Sequence, residues 1–166
     1  MTDRPTLALL CGKIASGKST LARTLGAAPR TVVISEDVWL SGLYGYQMST
    51  VKDYVRCSGK LGAVIGPHVV SLLRAGVSVV LDFPANTRAQ RRWMRDIVDE
   101  SGAQHRLHFL DVSDEVCLSR MLARQEAGEH PFSVTQEQFW QVSRFFERPA
   151  EDEGFHIIMY SGADLG

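Results

Sequence analysis

The chain has 166 residues, 45% of them hydrophobic and 22% charged, with a formal net charge of −1. That length suits a single domain with one buried core, and the near-zero charge excludes a general electrostatic pull toward nucleic acid or an anionic membrane. Cys11, Cys57 and Cys117 are far apart and form no CxxC pair, which excludes a zinc ribbon, a thioredoxin-type motif and a disulfide framework, and suits reduced thiols in the cytoplasm.

The opening apolar run is too short for a signal peptide or a membrane span, so a cytoplasmic chain with no membrane partner is expected. Thr6 to Cys11 is a continuous apolar run and reads as a strand buried on both faces. A glycine-bounded turn follows from Gly12 to Gly17, then a helix from Lys18 to Gly26. Thr31 to Ile34 is a β-branched second strand. Residues 36 to 60 read as a loop followed by a helix from about Thr50, with a further helix from Gly62 to Leu73. Val77 to Leu81 is a third strand, Arg88 to Glu100 a helix, and His105 to Leu110 a fourth strand. Ser113 is a helix N-cap, with Asp114 and Glu115 suiting the dipole of a helix that runs to about Glu126. Gly128 and Pro131 make residues 127–133 a loop. A helix is expected from Thr135 to Glu147 and a last strand from Phe155 to Tyr160. Strands alternating with helices imply an α/β chain with a parallel sheet, helices on both faces, and ligands at the strands' carboxyl ends.

The run Gly12-Lys13-Ile14-Ala15-Ser16-Gly17-Lys18-Ser19 fits G-x-x-x-x-G-K-[ST]. Glycine permits the backbone angles that turn successive N–H groups toward phosphate oxygens, and the helix opening at Lys18 adds its free amides and dipole. This predicts binding of a nucleoside triphosphate, taken as ATP with Mg²⁺. Gly12, Ala15, Ser16, Gly17, Lys18, Ser19 and Thr20 would contact it, Lys18 at the β- and γ-phosphates and Ser19 at the metal. Lys13 is an ordinary exposed lysine unless it adds charge to the site.

Three carboxylates follow strands. Asp82 ends the apolar run Val77 to Leu81, the Walker B shape whose carboxylate serves the magnesium shell. Asp37, with Glu36 as fallback, is the candidate to accept a proton from an acceptor hydroxyl. Asp111 is given no catalytic role. Arg120 and Arg124, four apart on one helix face, are candidates to stabilise the transferring phosphoryl group beneath a lid at about residues 125–135. Arg88, Arg91, Arg92 and Arg95 form a stripe read first as a solvated helix face, with Arg88 nearest the site. Trp39, Tyr44, Tyr46 and Tyr54, broken by glycines, read as a pocket wall for an organic acceptor; Trp39, Tyr44, Tyr54 and Arg88 are the candidate substrate residues. His105 and His108 fall on opposite faces of a strand, which makes them poor metal ligands.

The phosphate loop, Ser35-Glu36-Asp37, Val80-Leu81-Asp82 and the Arg120 to Arg124 segment together resemble the small P-loop kinases of the zeta-toxin and chloramphenicol-phosphotransferase type, with gluconate kinase and polynucleotide 5′-kinase as similar relatives. The resemblance spans about residues 6–160. It implies a three-layer P-loop NTPase fold with a five-stranded sheet in the order 2-3-1-4-5, a short lid, and one kinase-like domain over 1–166. It also implies that Asp37 is the hydroxyl-activating aspartate and that the Arg120 to Arg124 segment carries the lid arginines. Polynucleotide kinases of this type carry an arginine three residues past that aspartate, where this chain has Leu40, so nucleic acid is not the expected partner. The leading expectation is ATP-dependent phosphotransfer to a hydroxyl of a small molecule. The alternatives are a nucleotide-dependent switch that hydrolyses ATP slowly, which a flat exposed apolar patch over residues 38–60 would favour, and a nucleic-acid end kinase.

Overall fold

The computed structural model describes residues 4–128 and 134–161. Five strands form one parallel sheet: β1 (Thr6–Cys11), β2 (Thr31–Ser35), β3 (Ser78–Asp82), β4 (Gln104–Asp111) and β5 (Ile157–Ser161). Their spatial order is β2-β3-β1-β4-β5, the order implied by the resemblance. The central β1 is buried on both faces. Leu7, Leu9 and Cys11 enter the larger core with α3 (Val51–Arg74) and α4 (Arg88–Ser101), while Ala8 and Leu10 meet Ala22, Leu21 and Leu25 of α1 (Lys18–Gly26) on the other side. Its apolar run therefore shows no alternation, as a strand covered by helices on both sides requires.

Three element boundaries differ from expectation. Residues after β2 do not form a loop: Glu36–Tyr44 is a helix, α2, followed by a 3₁₀ turn at Gly45–Gln47. The Ser35 hydroxyl caps it by accepting the Val38 amide, and Glu36 and Asp37 in its first turn suit the dipole. The two helices expected between residues 50 and 73 are one, the 24-residue α3, opened by a Thr50–Asp53 capping box. Its glycines do not break it. A Cβ on Gly66 would stand 3.2 Å from the Trp93 indole nitrogen, so glycine here makes room for α4. Finally, α6 (Gln136–Ser143) stops short of the expected Glu147. Pro149 disfavours helix at the residue before it, and the Glu147 amide bonds to the Asn86 carbonyl at 2.8 Å instead.

The architecture brings the carboxyl ends of the strands together. Ser35 pairs in register with Asp82, and Leu9 with Leu81, so the Gly12 turn, Asp82 and the start of α2 share one rim. Among the described residues no helix is long and apolar enough to cross a membrane.

Candidate functional site

The loop between β1 and α1 is shaped by backbone. Ala15 (φ 64°) and Gly17 (φ 106°) lie in the left-handed region, and the Ser16 amide bonds to the Lys13 carbonyl at 3.1 Å. Gly12 is buried, and a Cβ there would collide with the Ser16 hydroxyl. The Gly12 amide donates to Asn86 Oδ1 at 2.9 Å. Ser16 is 1% exposed, and its hydroxyl has no hydrogen-bond partner among the described residues. The first turn of α1 has neither a side-chain cap nor an acidic residue, so its amides and dipole are open to an anion. The Lys18 ammonium lies inside the turn, donating to the Gly12 carbonyl and, at 3.2 Å, to that of Lys13. Burial lowers its pKa, against the opposing pull of Asp82, Cys11, Cys117 and Asp37.

Two carboxylates, Asp82 and Asp37, act electrostatically on this ammonium. Asp82 ends β3, and burial raises its pKa while Lys18 pulls it down and Asp37 pushes it up. Asp37 is exposed in the first turn of α2. Its neighbour Glu36 is only 4% exposed, and accepts the Tyr54 hydroxyl at 2.5 Å and the Ser58 hydroxyl at 2.8 Å. Burial raises the Glu36 pKa, and the two hydroxyl bonds act against it. Lys18, Asp37 and Asp82 thus form one electrostatic group. Among the described residues no three His, Cys, Asp or Glu side chains are grouped to hold a metal by themselves.

The aromatic residues of α2 and α3 are spread out. Tyr44 packs against the core, Tyr54 is bonded to Glu36, and Trp39 and Tyr46 are exposed. Val38, Leu43, Val51 and Val55 are exposed on the same two helices. Arg120 and Arg124 lie on α5 (Asp114–Glu126), and the Arg124 Nε is buried without a partner among the described residues. Within the expected lid, residues 129–133 lie outside the described ones. On its two flanks, Gln125 donates to the Val134 carbonyl at 2.5 Å. Loop residues Ile14 and Ala15 pack against a cluster containing Cys117 and Met121 of α5 and Phe139 of α6.

The arginine stripe of α4 is solvated only in part, with Arg88 and Arg92 exposed and Arg91 buried. Arg91 is fully buried and pairs with Glu153 at 2.8 Å, because its aliphatic stem can fill core space only if the guanidinium is neutralised inside. Arg88 is exposed and forks onto Asp152 at 3.0 and 3.2 Å. With Arg92, Arg95 and Phe155 these residues line a cavity of about 230 Å³. Lys13 pairs with Asp114 at 2.6 Å and stands over the Phe146 ring. His108 bonds the Tyr160 hydroxyl and His105 accepts the His156 amide.

A family model described as an AAA domain matches residues 7–149. The chain belongs to this family. No curated protein sequence matches it. Among solved structures, the AAA-domain chain is similar to a Chloroflexus aurantiacus J-10-fl protein provisionally termed a kinase, with a TM-score of 0.74 at 18% identity over 97% of this chain and 87% of that one. It is also similar to the APS kinase CysC of Mycobacterium tuberculosis, solved with AMPPNP and APS (TM-score 0.63, 18% identity, 95% and 88% covered). A gluconokinase from Sinorhizobium meliloti 1021 gives a TM-score of 0.61 at 17% identity, with 98% and 84% covered. At these identities the likeness carries the fold, which is that of the P-loop kinases. Family and fold make the AAA-domain chain a P-loop protein of the kinase or ATPase type.

Sequence reasoning did not assign Asn86, Ser58 or the Arg91–Glu153 pair. Thr87-x-x-Gln90 has capping-box spacing and marks the turn that holds Asn86. No comparable signal exists for the others, because their partners lie far away in the chain.

Proposed function

We propose that the chain transfers the γ-phosphate of ATP to a hydroxyl of a small molecule. The observation that supports this is the convergence of an anion cradle and the carboxylates Asp37 and Asp82 on one ammonium, Lys18. The cradle suits a triphosphate. Its buried Ser16 hydroxyl has no partner among the described residues, the first turn of α1 has no side-chain cap, and Gly12 has no room for a side chain. In this reading residues Gly12 to Thr20 hold the phosphates, and Lys18 exchanges its carbonyl partners for β- and γ-phosphate oxygens.

Ser19 and Asp82 are the hard oxygen donors of this chain that would hold Mg²⁺. When bound, the metal would neutralise charge on the β- and γ-oxygens. Asp37 accepts the acceptor's hydroxyl proton as the new O–P bond forms and ADP leaves with the bridging oxygen. Arg120 and Arg124 stabilise the transferring group from α5, and residues 125–135 act as the lid. Trp39 and Tyr54 border the acceptor. Tyr44 and Arg88 are engaged elsewhere, with the core and with Asp152, and the reading does not need them.

The test is transfer of label from γ-labelled ATP, with magnesium, to sugars, nucleosides, antibiotics and a 5′-hydroxyl oligonucleotide. A small molecule should be labelled by the wild type and not by Asp37→Ala. Labelling of the oligonucleotide alone would overturn the small-molecule assignment.

The exposed apolar residues Val38, Leu43, Tyr46, Val51 and Val55 support a second reading, a nucleotide-dependent switch whose partner covers some of them. It predicts that no acceptor is labelled and that slow ATP hydrolysis survives Asp37→Ala.

A further inference from the structure

The first amide of the phosphate loop is not available to a ligand. Gly12 N–H is spent on Asn86 Oδ1, while the Gly12 carbonyl accepts the Lys18 ammonium. Gly12, a buried residue, thus stands between Asn86, which holds its N–H, and the lysine proposed to meet the phosphates, which rests on its carbonyl.

Asn86 is itself held from several directions. Its N–H and that of Thr87 both donate to Gln90 Oε1, at 2.9 and 3.1 Å, and Thr87 Oγ1 accepts the Gln90 amide at 3.1 Å. Its carbonyl accepts the Glu147 amide at 2.8 Å. The segment that begins there is fastened again at each step. Glu147 accepts the Arg88 amide at 3.2 Å, Asp152 takes the Arg88 fork, and Glu153 pairs with Arg91. Arg91 in turn donates to the Ala85 carbonyl at 3.0 Å, next to Asn86. Asp82 opens the same short connection between β3 and α4.

We propose that Asn86 is a positioning residue of the nucleotide site, one that fixes the first peptide of the phosphate loop and ties it to residues 147–154, so that nucleotide binding and the anchoring of that segment are coupled. The proposal rests on the reading that the loop binds nucleotide. The physics is that of preorganisation. Without Oδ1 the buried Gly12 amide has no acceptor, and the peptide turns to find one. The carbonyl on which Lys18 rests belongs to the next peptide, joined to the first at the Gly12 Cα, so it is displaced when the first one turns, and the cradle must then be ordered at the expense of binding. Coupling is reciprocal, so a ligand that fixes the loop also steadies the segment tied to it.

The experiment titrates Mg·AMPPNP calorimetrically into the wild type, Asn86→Ala and Asn86→Asp, with thermal melts of each without nucleotide. The expected Kd of Asn86→Ala is about tenfold weaker than wild type. Asn86→Asp, which keeps an acceptor oxygen, should recover most of that loss. A purely architectural role would lower the melting midpoint and leave the Kd of folded protein unchanged. Hydrogen exchange supplies the second readout: saturating Mg·AMPPNP should slow exchange over residues 147–154 in the wild type and not in Asn86→Ala. Should Asn86→Ala fail to fold, Asn86→Ser, whose hydroxyl is too short to reach Gly12, carries the same expectations. A mutant Kd within twofold of wild type, or the same nucleotide-induced slowing in mutant and wild type, overturns the proposal. Absence of binding heat in the wild type would instead overturn the nucleotide reading itself.

Discussion

The proposed phosphate end of the site is made of backbone, whereas the proposed acceptor end is made of side chains. At the first, Gly12, Ala15 and Gly17 set peptide directions, and Asn86 and Lys18 hold them. At the second, Tyr54 and Ser58 of α3 donate to the buried Glu36 of α2, and Val38, Leu43 and Tyr46 face solvent. Backbone geometry serves any triphosphate, while side chains choose one acceptor. The difference explains why the nucleotide reading follows from a short motif and the acceptor does not.

The largest expected effect tests whether the two ends are separable. Asp37→Ala should lower transfer to the identified acceptor by about a thousandfold and leave the Mg·ATP Kd within about threefold. Steady-state kinetics and calorimetry on the same preparations check both. A comparable loss of nucleotide affinity would break the division.

The next effect concerns the support behind the phosphate end. Arg91→Ala leaves Glu153 without its buried partner and should destabilise the fold by about 3 kcal/mol in urea titration. Burial alone would raise the Glu153 pKa, but the Arg91 bond, the Ala150 amide and nearby arginine charge hold it below its usual value. Its folded pKa is depressed, so its stabilisation is present above the unfolded carboxylate range and is lost as pH falls through the folded value. The stability gap between wild type and Arg91→Ala should therefore narrow in that acidic window.

Tyr54→Phe sharpens the acceptor end. Removing one donor to buried Glu36 should cost about 1–2 kcal/mol, read from thermal melts. Burial raises the Glu36 pKa in the fold, so its contribution is intact below the ordinary carboxylate range and is lost as pH rises through the raised value. Tyr54→Phe should extend that loss to higher pH, because the hydroxyl bond favours the ionised form. The smallest effect is Arg88→Ala. Its ion pair with Asp152 is exposed, and the melting midpoint should move by no more than about 1 °C.

The sheet and the phosphate loop were legible in the sequence because their causes are local: apolar runs of strand length, and glycines around a lysine. What escaped depended on distant partners. Gly62 looks like the start of a separate helix, yet Trp93 packs over it and over Gly66, and α3 runs through both. The helix α2 was hidden by Gly42 and Gly45, although Ser35 caps it. Arg91 reads as a surface arginine because Glu153, its partner, is 62 residues away. The strand-end carboxylates Asp37 and Asp82 could be named from spacing, while the cluster that holds Glu36 required α3 to be seen folded against α2.

The central claim is that the Gly12 to Ser19 turn holds a triphosphate through its amides and the Lys18 ammonium. Calorimetric titration of Mg·ATP into the wild type and Lys18→Ala tests it most directly. The account predicts one saturable site in the wild type and an affinity about a hundredfold weaker in Lys18→Ala. A wild type that gives no heat, or two proteins with the same Kd, would contradict it.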